Sequence, residues 1–294
     1  MSETKKPVIG IIGGSGLYNL DCLTNTQWAK VETPWGAPSD EFFLGDYEGL
    51  RVVFLPRHGR GHRNSPASLN YRANIDGMKR LGVTDIISLS AVGSLKEELA
   101  PGHFVIVDQF IDQTYAREKS FFGPGCVAHV SMAHPVCGRL GDALEESMKA
   151  LSLPYTRGGT YLVMEGPQFS TLAESNLYRS WGCSVIGMTN MPEAKLAREA
   201  EIDYATVAMV TDYDCWHEDH DAVSVEQVVK VLASNAENAR SLVKNLLPRI
   251  SAPRSACPYG CDTALTNTMI TSKEALVPEM LHKLGAVAGR ILKA

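Results

Sequence analysis

The densest group of chemically capable side chains lies in residues 55–63 (LPRHGRGHR), where three arginines and two histidines fall within seven residues. The segment directly follows an apolar run of strand length. Arginine presents a planar fork of N–H donors that suits phosphate oxygens. The segment therefore indicates an anion-binding loop at the end of a strand, with a solvated basic surface loop as the alternative.

A pair of carboxylates, Asp212 and Asp214, follows the longest apolar run, residues 205–210. If the strand continues, side chains two residues apart point to the same side. Like charges that close raise the pKa of one carboxyl, which suits it to donate a proton. A divalent-cation site is the alternative. It is less favoured because few further oxygen ligands stand nearby, although Glu218 and Asp219 keep it open.

Residues 10–16 (GIIGGSG) follow the first apolar run of the chain. Glycines allow backbone N–H groups to approach an anion closely, and Ser15 adds a hydroxyl donor. The spacing is G-x-x-G-x-x-G and no helical pattern follows, which disfavours the G-x-G-x-x-G loop of dinucleotide-binding proteins. A phosphate loop is the favoured interpretation, and a simple tight turn remains open.

Two further groups of segments are candidates for substrate contacts. Residues 89–94 (LSAVGS) place small and hydroxylated side chains at a strand end, where open α/β sheets bind ligands. Residues 166–171 and 187–193 contain Phe169, suited to stack on a purine, and Met188, suited to pack on a sugar. Taken alone, an ordinary turn explains residues 89–94 equally well, and a core position explains Phe169 and Met188 better.

These motifs need strands to position them, and apolar, β-branched runs of strand length recur along the chain. They lie at residues 8–12, 51–55, 85–89, 104–107, 161–164, 184–187 and 204–210. Helical patterns fall at residues 140–151, 171–181, 192–200, 225–247 and 275–292. Ser224 and Gln227 form a capping box before the fourth of these, and Pro248 is expected to end it. Alternating strands and helices predict an α/β fold around a mixed or parallel sheet.

Composition and charge restrict the class of protein. The chain has 294 residues, enough to bury a large core without disulfides, and reads as one domain over residues 1–294. Its core spans about residues 7–250, and a C-terminal loop and helix occupy residues 251–294. A net charge of −5 with intermixed signs argues against a nucleic-acid partner. Since no stretch resembles a signal peptide or a spanning helix, no membrane partner and a cytoplasmic location are expected.

Seven cysteines are scattered along the chain, and only Cys257 and Cys261 are close in sequence. In a reducing compartment they are expected to be free thiols, with a local disulfide or redox-sensitive pair as the alternative. No second ligand pair stands nearby, so no metal site is predicted.

In their order along residues 8–216, the five motifs resemble those of the trimeric purine nucleoside phosphorylase family, in its branch acting on methylthioadenosine. The resemblance extends over about residues 7–245. It implies a single α/β domain whose mixed sheet curls partly into a barrel surrounded by helices. It also implies a homotrimer that uses inorganic phosphate as a co-substrate and needs no metal or cofactor. The implied reaction is phosphate-dependent cleavage of S-methyl-5′-thioadenosine to adenine and 5-methylthioribose 1-phosphate. The alternative substrates are other purine nucleosides or methylthioinosine.

The same resemblance assigns roles to individual residues. The phosphate contacts fall on Ser15, Arg57, His58, Ser90, Ala91 and Thr189. The substrate contacts fall on Phe169 beside the base, Met188 against the ribose, and Asp212 with Asp214 at the purine edge. The positions linked to purine choice and to the 5′ substituent are Ser170 and Val225. Further pocket positions are His62, His129, Thr211 and Val228, with His129 reaching in from a neighbouring subunit.

The aspartates also carry the expected mechanism. Asp212 lends a proton to N7 so that adenine leaves as a neutral base, and Asp214 accepts from the N6 amino group. Family members that act on 6-oxopurines place an asparagine opposite the base instead, so this pair favours adenine. A non-catalytic nucleotide-binding module and an NAD-dependent oxidoreductase are the rival functions.

Overall fold

The computed structural model of the protein describes residues 6–14, 20–217 and 225–292, without the side chains of residues 225–230 and 273. Ser15 therefore lies outside the described residues. None of the described helices combines the length and the apolar character that crossing a membrane requires.

The described residues form eleven strands and seven α-helices. The strands are β1 (Val8–Gly13), β2 (Thr24–Ala29), β3 (Phe42–Tyr47), β4 (Leu50–Pro56), β5 (Asp85–Ser94), β6 (Phe104–Ile106), β7 (Gln109–Gln113), β8 (Tyr155–Arg157), β9 (Thr160–Met164), β10 (Val185–Gly187) and β11 (Asp203–Asp212). The helices are α1 (Tyr71–Arg80), α2 (Gly138–Ala150), α3 (Leu172–Ser180), α4 (Asn190–Glu199), α5 (Val225–Ile250), α6 (Pro278–Leu284) and α7 (Gly289–Leu292).

One mixed sheet contains all of these strands. Its main path runs β2-β3-β4-β1-β5-β10-β9-β7, and a branch leads from β5 through β11 and β6 to β8. Because β6 is followed directly by β7, and β8 by β9, the branch bends back toward the end of the main path. No hydrogen-bonded strand pair among the described residues joins the two ends. The sheet thus curls toward a barrel without closing, which agrees with the mixed, partly closed sheet expected from the sequence.

Two apolar cores lie on opposite faces of the sheet. Alternate residues of one strand enter different cores: on β1, Ile12 packs in the first, and Ile9 and Ile11 pack in the second. Helices α1 and α4 cover the first face, whereas α2 and α5 cover the second. Burial on both faces explains why the central strands are continuous apolar runs in the sequence.

All seven predicted strands are present, with one large change of length. The strand predicted over residues 85–89 continues to Ser94, so residues 90–94 belong to β5 itself and not to a turn after it. This strand pairs with β1 and β11 and, at its last residues, with β10, and these neighbours hold it extended. Strands β2, β3, β7 and β8 and helix α1 were not predicted.

The predicted helices are also present, but two details were wrong. Pro248 lies inside α5 and does not end it, since the helix continues to Ile250. Because Pro248 stands in the last turn, two residues before the end, its missing N–H and its ring disturb only the end of the helix. The C-terminal pattern over residues 275–292 forms two short helices, α6 and α7, separated at Gly285. Ser224 of the expected capping box lies outside the described residues.

Candidate active site

The predicted phosphate and purine motifs converge because they follow parallel strands. Strands β4 and β5 both run parallel to β1, and β11 runs parallel to β5. Their carboxyl ends therefore lie at one edge of the sheet, where α/β proteins bind ligands. A direct contact joins the ends of β1 and β4. The backbone N–H of Arg57 donates to the carbonyl oxygen of Gly13 at 2.9 Å.

Arg57 points into the protein and forms a buried ion pair with Glu193 of α4. Its Nε lies 2.9 Å from Glu193 Oε2 and its Nη2 lies 3.2 Å from Oε1, so the contact is bidentate. Nη1 donates to the Leu89 carbonyl at 3.0 Å and Nη2 to Ser88 Oγ at 2.6 Å. One Nη1 hydrogen is left without a partner among the described residues. Arg57 thus supplies a fixed positive charge and one free donor.

Further buried groups hold Glu193 in place. Ser88 Oγ and Tyr204 Oη donate to Glu193 Oε1 at 2.6 and 2.8 Å. The Asn190 amide donates to Ser88 Oγ and to Tyr204 Oη. Asn190 and Glu193 belong to the predicted segment 187–193, but no sequence pattern indicated their contacts, because Glu193 resembles any acidic residue in the first turn of a helix.

Three hydroxyl groups meet beside Arg57. Ser90 Oγ lies 3.0 Å from Tyr161 Oη and 3.2 Å from Thr189 Oγ1, and all three side chains are buried. Tyr161 reaches this position across Gly187, where an added Cβ would lie 2.0 Å from its Oη. Ser90 and Thr189 were predicted phosphate contacts, and the structure brings them together. Tyr161 was predicted only as a strand residue.

His58 is a neutral imidazole with a defined tautomer. Its Nδ1 lies 2.9 Å from the Asn64 carbonyl oxygen, which can only accept, so Nδ1 carries the hydrogen. Burial lowers the pKa of His58 to about 4, and the charge of Arg57 contributes. Nε2 is therefore an acceptor. The exposed His62 ring stacks on His58, with centroids 4.4 Å apart.

The other arginines of the basic motif serve different purposes. Arg60 pairs with Asp40 and Glu41 and lies over the Trp28 ring. Arg63 lies 3.9 Å from Asp40. Only Arg57 of the three points into the site.

The two aspartates lie together, although not for the reason given by the sequence pattern. Strand β11 ends at Asp212, and Asp214 has φ +52°, so strand alternation does not relate them. A turn brings them together, and the Asp214 N–H donates to Asp212 Oδ1 at 2.8 Å. Gly93 of β5 leaves room for this carboxyl, since an added Cβ there would lie 2.9 Å from Asp212 Oδ1.

The surroundings of Asp212 favour its protonated form. Burial raises the pKa of its carboxyl, and the charge of Asp214 adds to this, while bonds from Thr211 and the Asp214 N–H oppose it. Thr211 Oγ1 lies 2.6 Å from Asp212 Oδ2 and 3.1 Å from the Val92 carbonyl oxygen. A hydroxyl has one hydrogen and can donate to only one of these oxygens. A protonated Asp212 satisfies both contacts, because it donates to Thr211 while Thr211 donates to Val92.

Asp214 occupies a second buried position. Burial is the main cause that raises the pKa of its carboxyl, and the hydroxyls of Ser175 and Ser170 oppose the rise. The backbone carbonyl of Ser170 accepts a contact from the Cys215 thiol at 3.4 Å. The structure thus places Ser170, predicted to affect purine choice, beside an aspartate of the pair.

A single strand connects the phosphate and aspartate groups. Ser90 of the hydroxyl group and Gly93, against Asp212, lie three residues apart on β5. Three residues of extended strand span about 10 Å. Half-buried Ala91, another predicted phosphate position, lies between them on the same strand.

The loop that follows β9 forms the outer part of the site. Met188 packs on it, and an added Cβ at Gly166 would lie 2.5 Å from the Met188 sulfur. Phe169, in the same loop, is 48% exposed. Arg117 joins the two segments, with Nη2 on the Glu165 carbonyl and Nη1 on the Met188 carbonyl, each at 2.7 Å. Sequence analysis missed Arg117, which lies in a loop without a motif.

Two predicted positions have side chains outside the described residues, and a third lies apart from this group. The side chains of Val225 and Val228 lie outside the described residues, although both positions belong to α5. His129 is exposed and lines a separate surface cavity of about 390 Å³ with Lys119, Lys195 and Glu199. None of the phosphate or purine residues lines that cavity.

Comparison with known proteins identifies the relatives of this arrangement. Residues 8–248 match the model of the phosphorylase superfamily. S-methyl-5′-thioadenosine phosphorylase of Rhodospirillum rubrum is 62% identical over 293 residues, which cover 99% of this chain and 100% of that protein.

Two solved structures resemble the fold. A methylthioadenosine phosphorylase from an Antarctic soil metagenomic library superimposes with a TM-score of 0.91 at 48% identity, covering 96% of this chain and 99% of that chain. Methylthioadenosine phosphorylase from Schistosoma mansoni, in complex with adenine, gives a TM-score of 0.80 at 36% identity. That match covers 83% of this chain and 92% of the other.

Proposed function

Since the chain belongs to the phosphorylase superfamily, we propose that it cleaves S-methyl-5′-thioadenosine with inorganic phosphate, as an S-methyl-5′-thioadenosine phosphorylase. The products are adenine and 5-methylthioribose 1-phosphate. Relatives of this name match nearly the whole chain at 61–62% identity. The reaction is a pentosyl transfer between a purine and phosphate.

The observation that carries the proposal is the order of groups along β5. An arginine and a group of hydroxyls lie near Ser90, and a pair of acids lies near Gly93. The separation of about 10 Å leaves room for a ribosyl ring between a phosphate below and a purine above.

At the phosphate end, hydroxyl donors and one positive charge bind the anion. Arg57 contributes its charge and its remaining Nη1 hydrogen, while Ser90 and Thr189 contribute hydroxyls. His58 accepts through Nε2 from a protonated phosphate oxygen, because its Nδ1 hydrogen is already used. Ser15 and the Ala91 backbone complete the set. A phosphate held under C1′ is both the nucleophile and a stabiliser of the developing positive charge on the sugar.

At the purine end, the two acids act on the leaving group. A neutral Asp212 gives its proton to N7 as the glycosidic bond lengthens, so adenine leaves uncharged. Asp214 accepts from the N6 amino group, which a 6-oxopurine lacks. Phe169 stacks on the base and Met188 packs on the ribose. Each step uses only side chains, substrate and phosphate, so the reaction needs no further cofactor.

The direct test follows adenine release from S-methyl-5′-thioadenosine by the purified protein. We expect release only when phosphate is present, together with one sugar phosphate for each adenine. S-methyl-5′-thioinosine serves as the matched substrate and should react much more slowly, because Asp214 has no N6 donor to bind. Equal rates on both would remove the proposed adenine preference. Release without phosphate would indicate a hydrolase, and binding without release would indicate a non-catalytic module.

We also propose that the active form is a trimer in which His129 completes the site of a neighbouring subunit. In the single chain His129 is exposed and separate from the other site residues. Large apolar side chains on and beside α3, including Leu172, Leu177 and Trp181, are also exposed. Light scattering should give a mass three times that of the 32.0 kDa chain. A monomer with full activity would contradict this proposal.

A further inference from the structure

Three cysteines from distant parts of the chain lie together in the second core. Cys137 precedes α2, whereas Cys257 and Cys261 belong to the C-terminal segment. Their exposures are 0%, 5% and 1%, and the Cys257 and Cys261 sulfurs are 2.9 Å apart. One carboxylate oxygen of Asp203 and the three sulfurs all lie within 4.8 Å of one another.

Asp203 supplies a second, independent observation at the same place. This first residue of β11 is fully buried, and its Oδ2 pairs with Arg139 and Arg254 at 2.7 and 2.8 Å. Its Oδ1 is buried without a hydrogen-bond partner among the described residues. A buried carboxylate oxygen without a partner is costly, and a bound cation would remove that cost.

We propose that Cys137, Cys257, Cys261 and Asp203 bind one thiophilic divalent metal ion, with zinc as the reference ion. Three thiolates and a carboxylate are donors that zinc accepts in a tetrahedral site. Tetrahedral Zn–S bonds of about 2.3 Å place two sulfurs about 3.7 Å apart. Loading the ion therefore moves the Cys257 and Cys261 sulfurs apart by somewhat less than about 1 Å, within reach of small side-chain rotations. The thiol protons leave to solvent as the metal binds.

The surrounding charges suit such a complex. Three thiolates, one carboxylate and a divalent cation leave an excess of negative charge. Arg139 and Arg254 contact the Asp203 carboxylate directly, and both also pair with the buried carboxylate of Asp85. Arg198 donates to the carbonyl of Tyr259, which lies between the two loop cysteines. These three arginines oppose the excess charge in a place where water has little access.

A disulfide between Cys257 and Cys261 explains less of this arrangement. The sulfurs are farther apart than the bond length of about 2.05 Å, and all three cysteines are free. A disulfide would also leave Cys137 and Asp203 Oδ1 without partners. Sequence analysis predicted no metal because Cys137 lies 120 residues before Cys257, so no ligand spacing is visible.

The consequence of the site is attachment of the C-terminal segment. The C-terminal segment contributes Cys257 and Cys261 to the second core. The same core contains residues from β1, β4, β5, α2 and α5. A metal that also binds Cys137 and Asp203 fixes the segment to α2 and β11. The role is structural and independent of the proposed reaction.

The test uses the full chain, purified with a reductant and without a chelator and then desalted. Its metal content is measured by elemental mass spectrometry. We expect one zinc ion per chain in the wild type and in Cys183→Ser, a matched control whose equally buried thiol lies in a third, smaller apolar cluster with Leu162 and Tyr178. Cys137→Ser and Cys257→Ser should bind zinc more than about 100-fold more weakly. Wild-type zinc content equal to that of Cys137→Ser would overturn the proposal.

A second measurement does not depend on the variants folding. Wild-type protein is stripped with a chelator under reducing conditions and titrated with Co²⁺. We expect thiolate-to-cobalt absorption that saturates at one equivalent, and a melting temperature that falls on stripping and returns with Zn²⁺. Absence of this absorption, or peptide mapping of a Cys257–Cys261 disulfide in protein handled without reductant, would overturn the site.

Discussion

Replacing Asp212 with asparagine should lower kcat for S-methyl-5′-thioadenosine by about 10²–10⁴-fold, the usual contribution of a general acid. Asparagine keeps the size of the side chain and can accept the Asp214 N–H bond, but it has no acidic proton for N7. The loss corresponds to about 3–5 kcal/mol of transition-state stabilisation. Steady-state kinetics at saturating phosphate measures it. Near wild-type turnover would exclude Asp212 as the acid.

The pH dependence separates a lost proton donor from a distorted site. Burial raises the pKa of Asp212, so the carboxyl stays protonated to higher pH than an exposed aspartate does. As pH rises through this pKa, the acid form is lost and wild-type kcat should fall. The Asp212→Asn variant should lack this decline. Asp214→Asn should instead mainly raise KM, and Asp142→Asn, with a 74% exposed side chain, is the control with no effect.

Replacing Glu193 with glutamine should cause the largest loss of stability. The change removes the partner of Arg57, whose side chain is 3% exposed, and leaves an uncompensated charge inside the protein. Breaking a buried ion pair on one side costs about 3–5 kcal/mol of unfolding free energy. The amide group of the new glutamine also places N–H donors against the guanidinium of Arg57, which itself has only donors. Urea denaturation measures the loss, and KM for phosphate should rise because Arg57 is no longer held in position.

Two matched variants test the reason for that loss. Glu279→Gln breaks an exposed pair with Lys283 and should leave stability nearly unchanged, because solvent screens such a pair. The double variant Arg57→Met/Glu193→Met removes both charges and should be more stable than Glu193→Gln, yet bind phosphate poorly. If Glu193→Gln were as stable as Glu279→Gln, the ion pair would have no structural importance.

The sequence predicted the centre of the sheet well and its edges poorly. Central strands such as β1 and β11 are buried on both faces, so their apolar runs are unmistakable. Strand β2 is mostly exposed and β7 is polar at both ends, so neither has such a run. Helix α1 contains Gly77, a weak helix former, which is needed because the Phe42 ring lies where a Cβ would be.

For the site, the sequence predicted residues that belong to motifs at strand ends but not those that hold them. Ser90 lies beside Thr189, and the two aspartates lie together, although Ser90 belongs to β5 itself and a turn joins the aspartates. Glu193 acts through a bond to Arg57, 136 residues away in sequence, and no local pattern reveals a contact of that kind. Tyr161 is a typical strand residue until Gly187 is seen to leave space for its hydroxyl.

Both proposed substrate-binding groups lie against β5, and this limits how the specificity of this protein can be changed. Pairing with β11 along this stretch, and with β10 at Gly93, fixes the spacing between Ser90 and Gly93, so mutation cannot readily lengthen it. Nucleosides whose sugar ring holds the base farther from the attacking oxygen should remain poor substrates in every variant. Engineering toward new nucleosides should therefore begin with the loop around Phe169, where the chain is exposed and its length can vary without moving the sheet.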